Sequence, residues 1–285
     1  MRESTKKPKF PFLFEKLGVS YTISAVIMTV TAITLTLVAS SYAYQILEQQ
    51  RGATEFDVAM ESILAFNDAL ENIAWKPQAS RSSRFTIEYG QLDLVPDRSL
   101  IVNVTGGPNA SYSLSREFST GYIVYSTRIK YTNFGEGYQS YFLGSKSTIT
   151  SGAGSYGRAS ITQKLGEVYI TLSYGVRAMK TSTFNVTQGN ETVPVNSVDI
   201  WIIRISIPDS LRGTNIGDFD LKAKCVNLTT IPDCGDEGNG YYLEGDKRCN
   251  ITVQLEEDTS PPAVIQLDAD KVVFNFVVAT VQVSV

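Results

Sequence analysis

The side chains best suited to chemistry crowd into one late stretch of this 285-residue chain. Cys225, Cys234 and Cys249 lie close together there, with Asp233, Asp236, Glu237, Asn239, Glu244 and Asp246 around them. In an oxidising exterior, three such cysteines are expected to form one disulfide and leave one thiol free. Cys225 and Cys249 fall on neighbouring strand candidates and could staple a hairpin; a Cys234–Cys249 loop closure is equally allowed. A metal site needs more soft ligands than three cysteines supply, so none is expected. Oxygen-rich loops with glycine can hold calcium, but this spacing matches no EF-hand, and the cluster reads as a solvated acidic turn.

Histidine is wholly absent. That removes the commonest general base, the Ser-His and Cys-His pairs, and most zinc sites. Carboxylates are plentiful, yet no spacing singles out a glycosidase pair. No catalytic residue and no cofactor is expected, and the chain is read as a non-enzyme. The net charge is −4, which offers no basic field for nucleic acid. The fifteen tyrosines suit half-buried strands.

Six glycosylation sequons are present, headed by Asn103, Asn109, Asn185, Asn190, Asn227 and Asn250. All of them follow a long apolar run, and such acceptors work only outside the membrane. That run, residues 17–47, holds no charge. Roughly 20 helical residues span a bilayer's hydrocarbon, so the run is long enough to cross one. Arg2, Lys6, Lys7, Lys9 and Lys16 precede it against only Glu3 and Glu15. This bias places the N-terminus in the cytoplasm and the rest of the chain outside.

Lys16-Leu17-Gly18-Val19-Ser20, opening this apolar run, resembles the class III leader of archaeal type IV pilins and their archaellin relatives. The resemblance covers roughly the first quarter of the chain. It implies that a prepilin-type membrane peptidase cuts after Gly18, leaving Val19 first, and that the apolar helix becomes a filament core or a membrane anchor. It also implies self-association through that helix, with membrane lipid as the other partner. The chain departs from the family pattern where Leu17 separates the basic Lys16 from Gly18. The acidic residue that many bacterial pilins carry near the helix start is also absent. An ordinary signal-anchor is the plainer reading of the same residues. Ser41-Tyr42-Ala43 also fits a general signal peptidase, which would release a soluble chain beginning at Tyr44.

Beyond the run, Phe56, Ala59, Met60, Ile63, Phe66, Leu70, Ile73 and Ala74 recur at steps of three and four, which predicts an amphipathic continuation of the helix. Asp57, Glu61, Asp68 and Glu71 fall on the other side. Gly52 is a weak point where a bend could occur, and Pro77 ends the helix. From Arg84 the period changes to two: Val168, Ile170, Leu172 and Tyr174, then Ile203, Ile205 and Ile207, then Ile251, Val253 and Leu255. Such strands, separated by Gly, Pro, Asn and Asp clusters, predict an antiparallel sandwich or barrel. Residues 144–156 read as a long exposed loop, a possible boundary between two β subdomains, with one domain favoured. Residues 271–285 form an apolar strand that must be buried in its own sheet or against a partner.

The expected class is therefore α+β. A leader (1–18) precedes a transmembrane or filament-core helix (19–47) and an amphipathic extension (48–76). A connector (77–84) then leads to an extracellular antiparallel β domain of sandwich or barrel type (85–285). The reading is a structural subunit of a pilus-like surface filament or a pilin-like anchored protein. The alternative is a monomeric, signal-anchored exterior domain that binds an envelope component or saccharide. The expected mature N-terminus is Val19, which N-terminal sequencing of membrane-associated protein tests. A start at Tyr44 would move the chain to the secreted class, and an intact Met1 would favour the plain signal-anchor.

Overall fold

The computed structural model describes residues 14–106, 112–152, 154–188, 191–211, 213–235, 240–243, 247–256 and 258–285, with residues 14–20 described as backbone alone. One helix, α1, runs Phe14–Ala74. The strands that follow are β1 (Ser80–Gly106), β2 (Ser113–Arg128), β3 (Gln139–Leu143), β4 (Ile149–Thr150), β5 (Gly157–Lys164), β6 (Glu167–Tyr174), β7 (Val176–Gln188), β8 (Glu191–Ser206), β9 (Gly213–Asp233), β10 (Tyr241–Tyr242), β11 (Arg248–Leu255), β12 (Asp258–Thr259), β13 (Ala263–Gln266) and β14 (Lys271–Ser284). The protein is thus α+β: a long N-terminal apolar helix followed by a β-rich domain. It divides into two compact units, Met1–Arg51 and Gly52–Val285. The described part of the first unit is helix alone.

In the second unit, the amphipathic stripe of α1 is buried as its spacing requires. Phe56, Ala59, Ile63, Phe66, Leu70, Ile73 and Ala74 all lie in the core, each large side chain contributing about 1.5–3 kcal/mol. The helix stops at Ala74, where the Lys76 N–H turns back to the Ile73 carbonyl (2.8 Å) just before Pro77. Gly52 is helical rather than a bend. It is buried where the Tyr131 ring crosses α1, and a Cβ there would stand 2.3 Å from the ring.

The strands make one sheet in the order β3-β5-β6-β2-β1-β9-β14-β8-β7-β4, with β11 branching from β1. β14 is central: it runs antiparallel to β9 and parallel to β8. The apolar C-terminal strand is therefore buried in its own sheet, except that Val277 is half-buried and Val285 is exposed. The sheet is mostly antiparallel, as expected, with two parallel pairs, β8–β14 and the short β4–β7. The expected connector also contracts, because Ser80, Arg81, Ser82 and Ser83 already pair with β9.

Two hydrophobic cores form on opposite faces of this sheet. In β14, Val272, Phe274, Phe276 and Val278 belong to one core, whereas Ala279, Val281 and Val283 belong to the core under α1. β8 changes in the same way, with Val198, Ile200 and Ile202 in the first set and Ile203 and Ile205, followed by Ile207 just past the strand, in the second. Side chains alternate across a strand, so a switch of parity is a switch of face. β1 makes its switch through an irregularity between Val95 and Arg98, where Asp97 takes a φ of 60°. Leu92 and Leu94 then face α1, while Leu100, Val102 and Val104 pack with β11 in the other core.

Gly52→Ala tests the approach of Tyr131. Alanine normally gains about 1 kcal/mol over glycine inside a helix, but here overpacking should lower stability by about 1–3 kcal/mol. In a Tyr131→Ala background the same change should stabilise. Chemical denaturation of the four proteins gives the coupling, and equal effects in both backgrounds would show that Tyr131 does not set the preference for glycine.

Candidate functional site

Residues Tyr21–Ala74 form a helix long and apolar enough to cross a membrane by length and composition. Its first part exposes Tyr21, Ile23, Val26, Ile27, Met28, Val30 and the large side chains after them. Four threonines in this part satisfy themselves. Thr29, Thr31, Thr34 and Thr36 each donate to the carbonyl four residues back, at 2.6–2.8 Å. Of the expected cleavage residues, Lys16, Gly18 and Val19 stand on helical backbone, and their side chains lie outside the described residues. The rest of the leader, 1–13, lies outside them altogether.

Two carboxylates fix the second part of α1 to the sheet. Glu55 accepts the backbone N–H groups of Glu88, Tyr89 and Gly90 at 2.7–2.8 Å. It also accepts the Tyr125 hydroxyl at 3.0 Å. Burial, reinforced by the adjacent Glu55 charge and hydrogen bond, pushes the Tyr125 phenol well above its ordinary value. One turn before the helix end, Glu71 accepts the Ser155 hydroxyl and the Gly157 N–H (3.0 Å). Glu71 therefore faces the sheet side, not the solvent side expected from its spacing. Neither role is visible in helical periodicity, because each partner is a backbone N–H or hydroxyl far along the chain.

The segment expected to be a long exposed loop is exposed at residues 144–146, 151, 152 and 154, but its middle is built into the fold. Thr148 and Ile149 are buried. The Thr148 carbonyl accepts the Val176 N–H (2.8 Å), and its hydroxyl donates to Val253 of β11 (3.2 Å). Gly144 and Gly175 permit this packing: a Cβ on either would stand 2.7 and 2.5 Å from a backbone oxygen. Beside this segment is a cavity of about 270 Å³ lined in part by Gln139, Tyr141, Lys146, Arg158 and Ser260. A second cavity, of about 210 Å³, shares Ser147, Thr148 and Arg158 with it.

The sequons separate in space. Asn227 on β9 and Asn185 on β7 are exposed. Asn103 and Asn250 are half-buried on adjacent β1 and β11, in a register that sets Asn103 opposite Thr252 and Thr105 opposite Asn250. Asn109 and Asn190 lie outside the described residues, as do Asp236, Glu237, Asn239, Glu244 and Asp246 of the acidic loop. Of that loop's acids, Asp233 is described. Burial pushes its carboxyl up, but the Tyr241 hydroxyl, the Arg116 guanidinium and the Gly235 N–H outweigh this and hold it below its ordinary value. No group of three potential metal ligands occurs among the described residues.

The expected disulfide is not formed: Cys225, Cys234 and Cys249 are free. Cys225 is buried against α1, its Sγ 3.1 Å from the Ala74 carbonyl oxygen. Cys249 is buried in the core on the opposite face. Cys234 lines a cavity with Val273 and Asn275, the β14 side chains that point away from that second core. The sheet therefore separates Cys249 from both others. Along β9, at roughly 3.3 Å per residue, Cys225 and the strand end next to Cys234 are on the order of 25 Å apart. A disulfide needs Cα atoms about 4.4–6.8 Å apart.

No family model, curated protein or solved structure matches this chain.

Burial pushes the Cys225 thiol above its ordinary value and the Cys249 thiol up to about 12. In the native protein, alkylation at pH 8 should therefore mark Cys234 first, and all three only after denaturation without reductant. Mass mapping of the labelled peptides checks this. A cysteine that becomes reactive only after reduction would restore the disulfide.

Proposed function

We propose that this chain is a structural surface protein of pilin-like layout. Residues 19–47 of α1 hold it in the membrane or in a filament core, and the β-rich unit stands outside. The observation that carries this reading is the contrast within one helix. Its second part buries an apolar stripe in its own protein, whereas its first part exposes apolar side chains all round. An all-round apolar surface needs lipid or other helices. The self-satisfied threonines support the same reading, because a helix in an apolar medium must pair its polar groups internally. Ala25, Ala32, Ala39 and Ser40 add small side chains that let helices approach closely.

The proposed route begins with a prepilin-type peptidase cutting after Gly18. Self-association then proceeds through the exposed segment, and the exposed asparagines Asn185 and Asn227 lie open to glycan attachment on the exterior unit. Neither lipid anchoring nor assembly requires a catalytic group or cofactor.

A charge at Ala32 tests the proposal. Ala32→Asp places a carboxylate in mid-helix at a cost of about 2.5–3.5 kcal/mol. It should abolish filaments in sheared cell-surface material seen by electron microscopy, and reduce the oligomers of full-length protein in mild detergent. Ala32→Leu should leave both intact. Wild-type filaments in the aspartate variant would overturn assembly through this helix. A wild-type chain that is monomeric in detergent and absent from filaments would leave the anchored monomer.

A further inference from the structure

The cleft beside residues 144–150 is not needed for anchoring or assembly, yet it is rigidly built. Its floor is Arg158 on β5. The guanidinium donates from Nε to the Ser145 carbonyl and from Nη2 to the Lys146 carbonyl, both at 3.1 Å. It also lies 5.8 Å from the centre of the Tyr141 ring. These interactions use two of the five guanidinium N–H groups and hold the plane in one orientation. Lys146, exposed on the rim, brings a second positive charge. Among the described residues, no carboxylate lines either adjoining cavity, in a chain whose net charge is −4. Neither cation has an ion-pair partner among the described residues.

The remaining lining is chemically narrow. Beside Pro261 it offers Tyr141, Gln139 and a run of hydroxyls that includes Thr148, Thr259 and Ser260. An aromatic face beside hydroxyl and amide groups matches a ring that is apolar on one side and hydroxylated at its edge. A fixed guanidinium matches a planar carboxylate, which accepts two parallel N–H groups. The two cavities, of about 270 and 210 Å³, lie just below the range of roughly 300–1,000 Å³ for drug-sized ligands, so a short sugar segment suits them better than a large cofactor. We propose that this cleft binds a carboxylated saccharide, with Arg158 and Lys146 taking the acid group, Tyr141 stacking on the ring and the hydroxyls reading its edge. The site lies between β3 and β5 on one side and residues 259–261 on the other. The Thr148–Val253 bond holds its wall in place before any ligand arrives, which lowers the cost of binding.

The test uses the full-length chain in mild detergent, so it needs no assembly. The probe is trigalacturonate, titrated by calorimetry, with its methyl ester as the uncharged control. Binding is expected to weaken at least about tenfold for the ester and for Arg158→Gln, which is about 1.4 kcal/mol at 25 °C. Because Arg158 also holds residues 145–146, Lys146→Gln supplies a second variant, at an exposed side chain with no hydrogen bond or ion pair among the described residues. It should weaken binding several-fold and flatten the dependence on salt. The proposal is overturned by no heat at millimolar probe, by equal affinity for ester and acid, or by wild-type affinity in both variants. Inorganic phosphate competing as well as the trisaccharide would mean a plain anion site, and would overturn the saccharide assignment.

Discussion

One carboxylate sits where the two uses of the long helix meet. Glu55 lies just past the boundary between the exposed and buried parts of α1. It faces the stretch of β1 that leaves register with β9, between Ile87 and Leu92. Strand residues out of register have N–H groups that the ladder cannot take. Glu88, Tyr89 and Gly90 give theirs to Glu55 instead. Hydrogen bonds to a charged acceptor are worth about 1.5–3 kcal/mol each, and a buried donor left unmade costs a comparable amount. The break in the ladder is thus what makes the helix attach there. Glycines complete the junction: a Cβ on Gly90 would stand 2.5 Å from the Tyr125 ring, and Gly52 meets Tyr131. Two rings and a carboxylate can crowd against helix and strand only because both positions lack side chains.

The same kind of irregularity lets one sheet serve two cores. An unbroken strand of alternating pattern has one inward face. β1, β8 and β14 are too long to be buried on one face throughout, and each changes over partway. β8 and β14 do so by placing apolar residues at consecutive positions, Ile202–Ile203 and Val278–Ala279. β1 does so through Asp97, whereas β9, skipping Val226 against β14, keeps Ala223 and Leu228 on the side of the core under α1. The helix covers only its own end of the sheet, so the other end closes with β11, β13 and β7 on the opposite face. Both cores share the same strands, which ties their stabilities together more tightly than a linker between domains would.

Periodicity made much of this legible. Steps of three and four gave the buried stripe of α1 at the right residues, and period two gave β6, β8 and β11 with their inward sides. The apolar C-terminal strand had to be buried in its own sheet or against a partner, and it lies in its own sheet between β8 and β9. Pattern failed where the answer depended on register. Glu71 fell on the polar side of a helical wheel, yet Ser155 and Gly157 lie within its reach. Residues 144–156 had the composition of a loop, but Gly144 serves close packing and Thr148 is buried. The cysteines misled most. Nearness in sequence is not nearness in space when extended strands move the chain about 3.3 Å per residue, and composition does not say that a sheet stands between them.

The two parts of α1 treat polarity in opposite ways, and this bears on what each can do. The buried part uses Glu55 and Glu71 to make directional bonds to fixed backbone groups, which specify one position on one sheet. The exposed part has hydroxyls but turns each of the four threonines back on its own carbonyls. Such a surface presents shape and apolar area, with no hydrogen bond from those threonines for a partner to satisfy. On the proposed reading, shape alone would admit lipid on one side and small-residue helix contacts on another. Specific position is thus set by Glu55 and Glu71 against the sheet, while on the proposed reading the exposed part sets only the kind of surroundings, lipid or other helices.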